Sequence, residues 1–133
     1  MNAGHVYQRE GDAQADCQWW QQVLRLQDWD VRVRFARERE MVAGHSGEVE
    51  MDLEGKRAVV RLLDQVDYAP NEEWPQDHEY TLVHELVHLH LEPVFVAMGG
   101  GPAKGSAAHV ALEQAVHAIA GALVNLRRRN AGV

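Results

Sequence analysis

The sequence predicts an α+β fold in one domain, ordered helix, three strands, helix, helix. Three observations carry this. The chain has 133 residues, 46% of them hydrophobic and 25% charged, the balance of a globular domain with a real core. Residues 29–35 alternate strictly between apolar and polar, as a half-buried strand does. Apolar residues recur at helical spacing before that strand and again in the second half of the chain.

In order, residues 1–11 read as a flexible leader and 12–133 as a single domain. Asp12 to Gln27 predicts a helix, with Cys17, Trp20 and Leu24 on one apolar line and Trp19, Val23 and Leu26 on the next. Trp29, Val31, Val33 and Phe35 form the inward face of the first strand, and Arg37 to Glu40 a charged connection. Glu48 to Leu53 alternates again, Asp52, Glu54 and Gly55 signal a hairpin turn, and Arg57 to Leu63 is the return strand. Glu48 and Glu50 are expected beside Arg57 and Arg61 across that hairpin. Asp64 to Gln76 is a loop broken by Pro70, Asn71 and Pro75. Asp77 N-caps a helix from His78 to Leu91, closed by Pro93. Glycines 99, 100, 101 and 105 mark a linker. The last helix runs from about Ala107 to Arg128, with Leu112, Ala115, Ile119, Leu123 and Leu126 on its apolar line and arginines at its end, where the helix dipole favours cations.

Composition narrows the function classes. No apolar run approaches the roughly 20 residues of a spanning helix, and Met1 to Gln14 carries no apolar signal-peptide core. With one cysteine, Cys17, a reducing cytoplasmic setting is expected. A net charge of −7 argues against a nucleic-acid partner. Twelve acidic residues lie between Glu48 and Glu92, but Glu113 is the single carboxylate of the last 41 residues.

The chemistry concentrates in His84-Glu85-Leu86-Val87-His88. Histidines at i and i+4 share one face of a helix, so both imidazoles can reach one zinc ion. Glu85 sits about 100° around the helix and can meet a metal-activated water without taking a ligand position. The flanking Leu82, Val83, Leu86, Val87, Leu89 and Leu91 predict a largely buried helix. A catalytic zinc usually has three protein ligands. Glu113 is the leading third one, because a lone carboxylate on an apolar helix is costly without a neutralising cation. His109 and His117, one turn to either side of Glu113, compete for that place, and His117 also suits an outer role stabilising an oxyanion. His90 is rotated off the metal face and suits an edge or core role, and His78 is expected to be exposed in the first turn. His45 sits between Gly44 and Gly47, beside a cleft or in solvent; Tyr68 and Tyr80 are possible oxyanion donors; Trp19 and Trp20 read as core.

This helix, small sheet, H-E-x-x-H helix and glutamate-bearing helix resemble the minimal zincin metallopeptidases of the gluzincin branch. The run from His84 to Leu91 is similar to that of small metallopeptidases in phage and prophage genomes. In architecture the resemblance covers about residues 15–128; in sequence only the motif helix is specific. It implies a zincin-like fold, His84 and His88 as zinc ligands, Glu85 as general base and acid, and Glu113 as third ligand. It also implies that Arg57 to Leu63 lies at the rim of a cleft, where an extended peptide adds as a further strand. SprT-like proteins share the motif but take a histidine as third ligand, which keeps His109 and His117 open. The expected function is a zinc-dependent peptidase acting on a peptide or protein, with neither nucleic acid nor membrane as partner. The alternative is a zincin-shaped binding or regulatory module that docks a phage or host protein without cutting it. An intact Glu85 favours the enzyme, since a structural zinc site has no use for a base.

Overall fold

The three alternating segments pair as expected in part. The computed structural model describes residues 4–71 and 73–131. Its strands are β1 (Asp30–Ala36), β2 (Gly47–Asp52) and β3 (Arg57–Leu63). β2 and β3 form the antiparallel hairpin, with Val49 opposite Val60 and Met51 opposite Ala58. β1 joins β3 in parallel, Val33 opposite Val60, so the order is β1-β3-β2. The strand expected at the rim, Arg57 to Leu63, is therefore the middle of the sheet, and β2 is an edge. The physical reason is composition: β3 is apolar at five of seven positions and suits a place between two neighbours, whereas Glu48, Glu50 and Asp52 give β2 the charge of an edge strand. Across the hairpin Arg61 meets Glu50 at 3.2 Å and Arg57 meets Asp52 at 2.7 Å. Glu48 instead turns to the preceding loop and accepts from the Val42 amide.

The two edges differ. Helix α1 (Glu10–Val23) lies along β1 and answers its free backbone groups with side chains. Gln14 donates to Val31 O at 2.8 Å and accepts from Val33 N at 2.9 Å, while Glu10 accepts from Phe35 N at 2.7 Å. Among the described residues nothing outside the sheet bonds the β2 backbone in this way.

α1 begins two residues earlier and ends four earlier than periodicity suggests. Its end is a left-handed turn on a non-glycine residue, Arg25 at φ 60°, with Leu26 N returning to Gln21 O and Arg25 N to Gln22 O. Cys17 and Trp20 are core as expected, but Trp19 and Val23 stay largely exposed. The leader is anchored over its described residues. His5 bridges to Asp77, Tyr7 N donates to His78, and the Tyr7 hydroxyl donates to Asp16.

Helix α2 (His78–Ala97) starts on Asp77, whose side chain accepts from Tyr80 N at 3.0 Å. It continues through Pro93, against expectation. The stop lies at Gly99, φ 95°, where Gly100 N bonds Phe95 O and Gly99 N bonds Val96 O, closing the last carbonyls. One proline costs a single backbone donor, and the glycine cap beyond it sets the true end. α2 buries residues on most of its surface, Leu82, Val83, Leu86 and Leu89 among them, between the sheet and the other two helices.

Helix α3 (Ala107–Ala131) buries Val116, Ala120 and Val124. The expected apolar line is corrected in part: Leu112 and Leu123 pack against the core, but Ala115, Ile119 and Leu126 face outward, the fully buried line being Val116, Ala120 and Val124. By length and composition alone α3 is apolar enough to cross a membrane, contrary to the sequence expectation, its many alanines adding to the mean hydropathy between larger apolar residues. The arginines do more than meet a dipole. Arg128 holds Asp77 through two bonds of 2.8 and 2.9 Å, and Arg127 and Arg128 both reach Glu79, which also accepts from the Trp20 indole at 2.9 Å. Glu79 is buried, so its charge needs these partners.

His78, expected outside, is buried. Its Nδ1 accepts from Tyr7 N at 3.1 Å and its Nε2 faces Leu63 O at 2.8 Å, an arrangement that suits only the neutral ring. Burial lowers its pKa, against the opposing pull of Leu63 O, Asp64 and Asp77. The stabilisation is therefore complete above the unfolded value of about 6.5 and is lost as pH falls below it. Denaturant unfolding at pH 7.5 and 5.5 will show this acid loss, and His78→Gln, whose amide supplies one donor and one acceptor, will flatten it.

Candidate metal centre

The i, i+4 spacing puts the rings of His84 and His88 side by side on α2, centroids 5.2 Å apart. The glycine linker reverses the chain, Ser106 accepts from His109 N at the start of α3, and Glu113 arrives nearly two turns later. Its Oε1 stands 3.3 Å from His84 Nε2 and its Oε2 stands 3.1 Å from His88 Nε2. All three donors lie within 4.8 Å of one another and could hold a metal ion. Donors held about 2.0–2.1 Å from a tetrahedral ion stand about 3.3 Å apart, which the two contacts to Glu113 match. Burial, with His88 nearby, lowers the pKa of His84 and favours its neutral, metal-binding form, although Glu113 opposes this.

Glu85 points into the same cleft from the next position on α2. It is 8% exposed and makes no hydrogen bond among the described residues. Burial, then Glu113 and Glu48, push its carboxyl up to about 8. A cation held beside it would lower that value again. The edge strand passes over it at Gly47. A methyl group there would stand 2.3 Å from Thr81 Cγ2, 3.2 Å from Arg61 O and 3.6 Å from Glu85 Oε2. Only a residue without Cβ lets β2 come this close to the motif helix.

The cleft, about 1270 Å³, runs between β2 and α3 over the α2 floor. His84, Glu85, His88 and Glu113 meet in it. His117 lines it but stays outside the three-donor group, exposed, its ring 5.6 Å from His84 and 5.0 Å from Tyr80. His109 lines it too and accepts from Gly105 N at 3.3 Å. His45 borders it, 3.4 Å from Glu48. His90 lies on the far side, exposed, bonding Leu24 O. The two tyrosine hydroxyls are engaged with backbone, Tyr80 with His117 O and Tyr68 with Trp74 O. Sequence reasoning missed Gly47, Thr81 and Trp74. An isolated tryptophan in a polar loop was the available signal for the last; nothing in sequence spacing marks Gly47 as a close approach.

Compared with protein-family models, curated proteins and solved structures, the chain matches none of them.

Two outcomes check this geometry. If the three donors hold a metal, Glu113→Ala will weaken binding of a divalent probe ion such as zinc at least about tenfold by calorimetric titration, while exposed Gln114→Ala leaves it unchanged. Gly47→Ala will cost about 1–3 kcal/mol in denaturant unfolding. Thr81→Ser in the same chain removes the colliding methyl, keeps the hydroxyl that donates to Asp77 O at 3.0 Å, and will restore most of the loss.

Proposed function

We propose that the chain is a zinc-dependent peptidase of zincin-like architecture. The observation that carries this reading is Glu85: a buried, partnerless carboxyl set beside a group of two histidines and a glutamate, in an open cleft. Two nitrogens and one carboxylate oxygen are a donor set that zinc takes in catalytic sites, leaving a position free. Zinc bound there would supply a Lewis acid and make water nucleophilic near neutral pH. Glu85 takes the proton of the attacking water and returns it to the departing amine. β2, not β3, offers the unpaired edge along which an extended peptide would bind as a further strand. His117, exposed on the cleft wall, would donate to developing charge on the substrate. The proposed setting is the cytoplasm and the proposed partner a peptide or protein.

A binding or regulatory module is the second reading. The observation on its side is the exposed line of α3, where Ile119 is 47% and Leu126 49% exposed. Glu85→Gln separates the two, since it keeps the side chain's shape and removes the base. Zinc content by elemental analysis will be retained, and turnover of a peptide that the wild type cleaves will fall about 10²–10⁴-fold. Equal turnover in both proteins overturns the role of Glu85. Zinc bound by a wild type that cleaves none of a broad peptide library favours the module.

A further inference from the structure

Trp74 stands on the cleft wall near the start of α2, 69% exposed. The other tryptophans are accounted for. Trp20 and Trp29 are buried, and Trp19 lies beneath the Arg127 guanidinium, 3.8 Å from its ring centroid. Trp74 has neither an aromatic nor a cationic partner among the described residues. Yet its backbone is fixed. Its N–H donates to Asn71 Oδ1 at 3.1 Å, its carbonyl accepts from the Tyr68 hydroxyl, and two residues on Gln76 donates to Leu63 O at 2.8 Å. A large exposed ring on an anchored stretch of backbone gains from a ligand that covers it, because part of the ordering that binding needs is already in place.

The charge around the cleft says which ligand. Asp77 is taken by Arg128, and Glu85 and Glu113 belong to the metal centre. What remains on the walls is Glu48, Glu73 and Glu92 against Lys104. Glu73 adjoins Trp74, is exposed, and makes no ion pair among the described residues. A guanidinium or ammonium in the cleft gains from both an exposed indole face and a free carboxylate on the same wall, whereas a leucine gains only from the ring. A net charge of −7 draws the same ligands toward the cleft.

We propose that Trp74 and Glu73 form a subsite for a basic side chain, so that the cleft selects peptides carrying arginine or lysine. This rests on the peptidase reading for the identity of the ligand as a peptide, and its test does not depend on cleavage. The probes are N-acetyl-Ala-Ala-X-Ala-Ala-amides with X as Arg, Lys, Leu or Glu, titrated by calorimetry into the full chain carrying Glu85→Gln. Arg and Lys peptides will bind about tenfold more tightly than Leu, with Glu weakest, and the gap will narrow at high salt. Trp74→Ala will abolish the preference and Trp74→Phe will keep part of it, while Glu73→Gln will reduce it. Equal binding of Arg and Leu, a preference that survives Trp74→Ala, or no peptide binding overturns the subsite. Wild-type cleavage assayed in parallel keeps the two claims apart. Cleavage without basic preference overturns the subsite alone. Preferential binding without cleavage supports the subsite and favours the binding module over the peptidase.

Discussion

The pairing of α3 with α2 is the constraint on which the rest depends. α3 buries Val116, Ala120 and Val124, packs the half-buried Leu112 and Leu123 against the core, and leaves much of its other surface to water. One apolar strip is a modest hold for a helix of 25 residues. Two polar fastenings supplement it. At one end Arg127 and Arg128 engage Asp77 and Glu79, and the buried Glu79 in turn holds Trp20 of α1. At the other, Glu113 meets His84 and His88. The fourteen residues from Glu113 to Arg127 span about 21 Å of helix, so α3 is gripped near both ends of its contact with α2. The two grips differ in kind. The arginine end is complete with the chain's own charges. The histidine end brings one carboxylate against two rings, a group that could also hold a metal ion.

The same economy of contact shapes the carboxyl beside it. Glu85 is dry because β2 closes over it at Gly47 and the core residues Leu82 and Leu86 flank it on α2. Burial pushes its carboxyl up to about 8, and a cation beside it would draw that value down again. In the proposed peptidase, metal binding and proton acceptance would thus be coupled through this one buried position.

Much of this was legible in the sequence because it depends on period and type. Strict alternation gave β1, the i, i+4 histidines gave the face of α2, and the isolation of Glu113 among apolar neighbours marked its charge as needing an answer. What escaped depends on geometry that no local pattern encodes. Parallel pairing of β1 with β3 placed β2 at the edge, which strand propensity does not determine. α1 ends on Arg25, where the usual glycine signal is missing. α2 passes Pro93 because the cap at Gly99 lies a turn beyond. The buried face of α3 centres on the smaller Val116, Ala120 and Val124 while Ile119 and Leu126 turn outward, so side-chain size does not mark it. His78 looked like a surface residue because its partners, Tyr7 and Leu63, come from distant parts of the chain.

The unequal edges of the sheet bear on how copies of this protein could assemble. With Gln14 and Glu10 occupying the backbone groups of β1, the sheet can be extended only past β2. Propagation needs two reactive edges per copy, one to receive a strand and one to offer the next. Here a second copy joining through β2 would present its own capped β1 at the far side, and growth would end at a closed pair. Two α1 side chains therefore work against a polymerising sheet, while the β2 edge stays open.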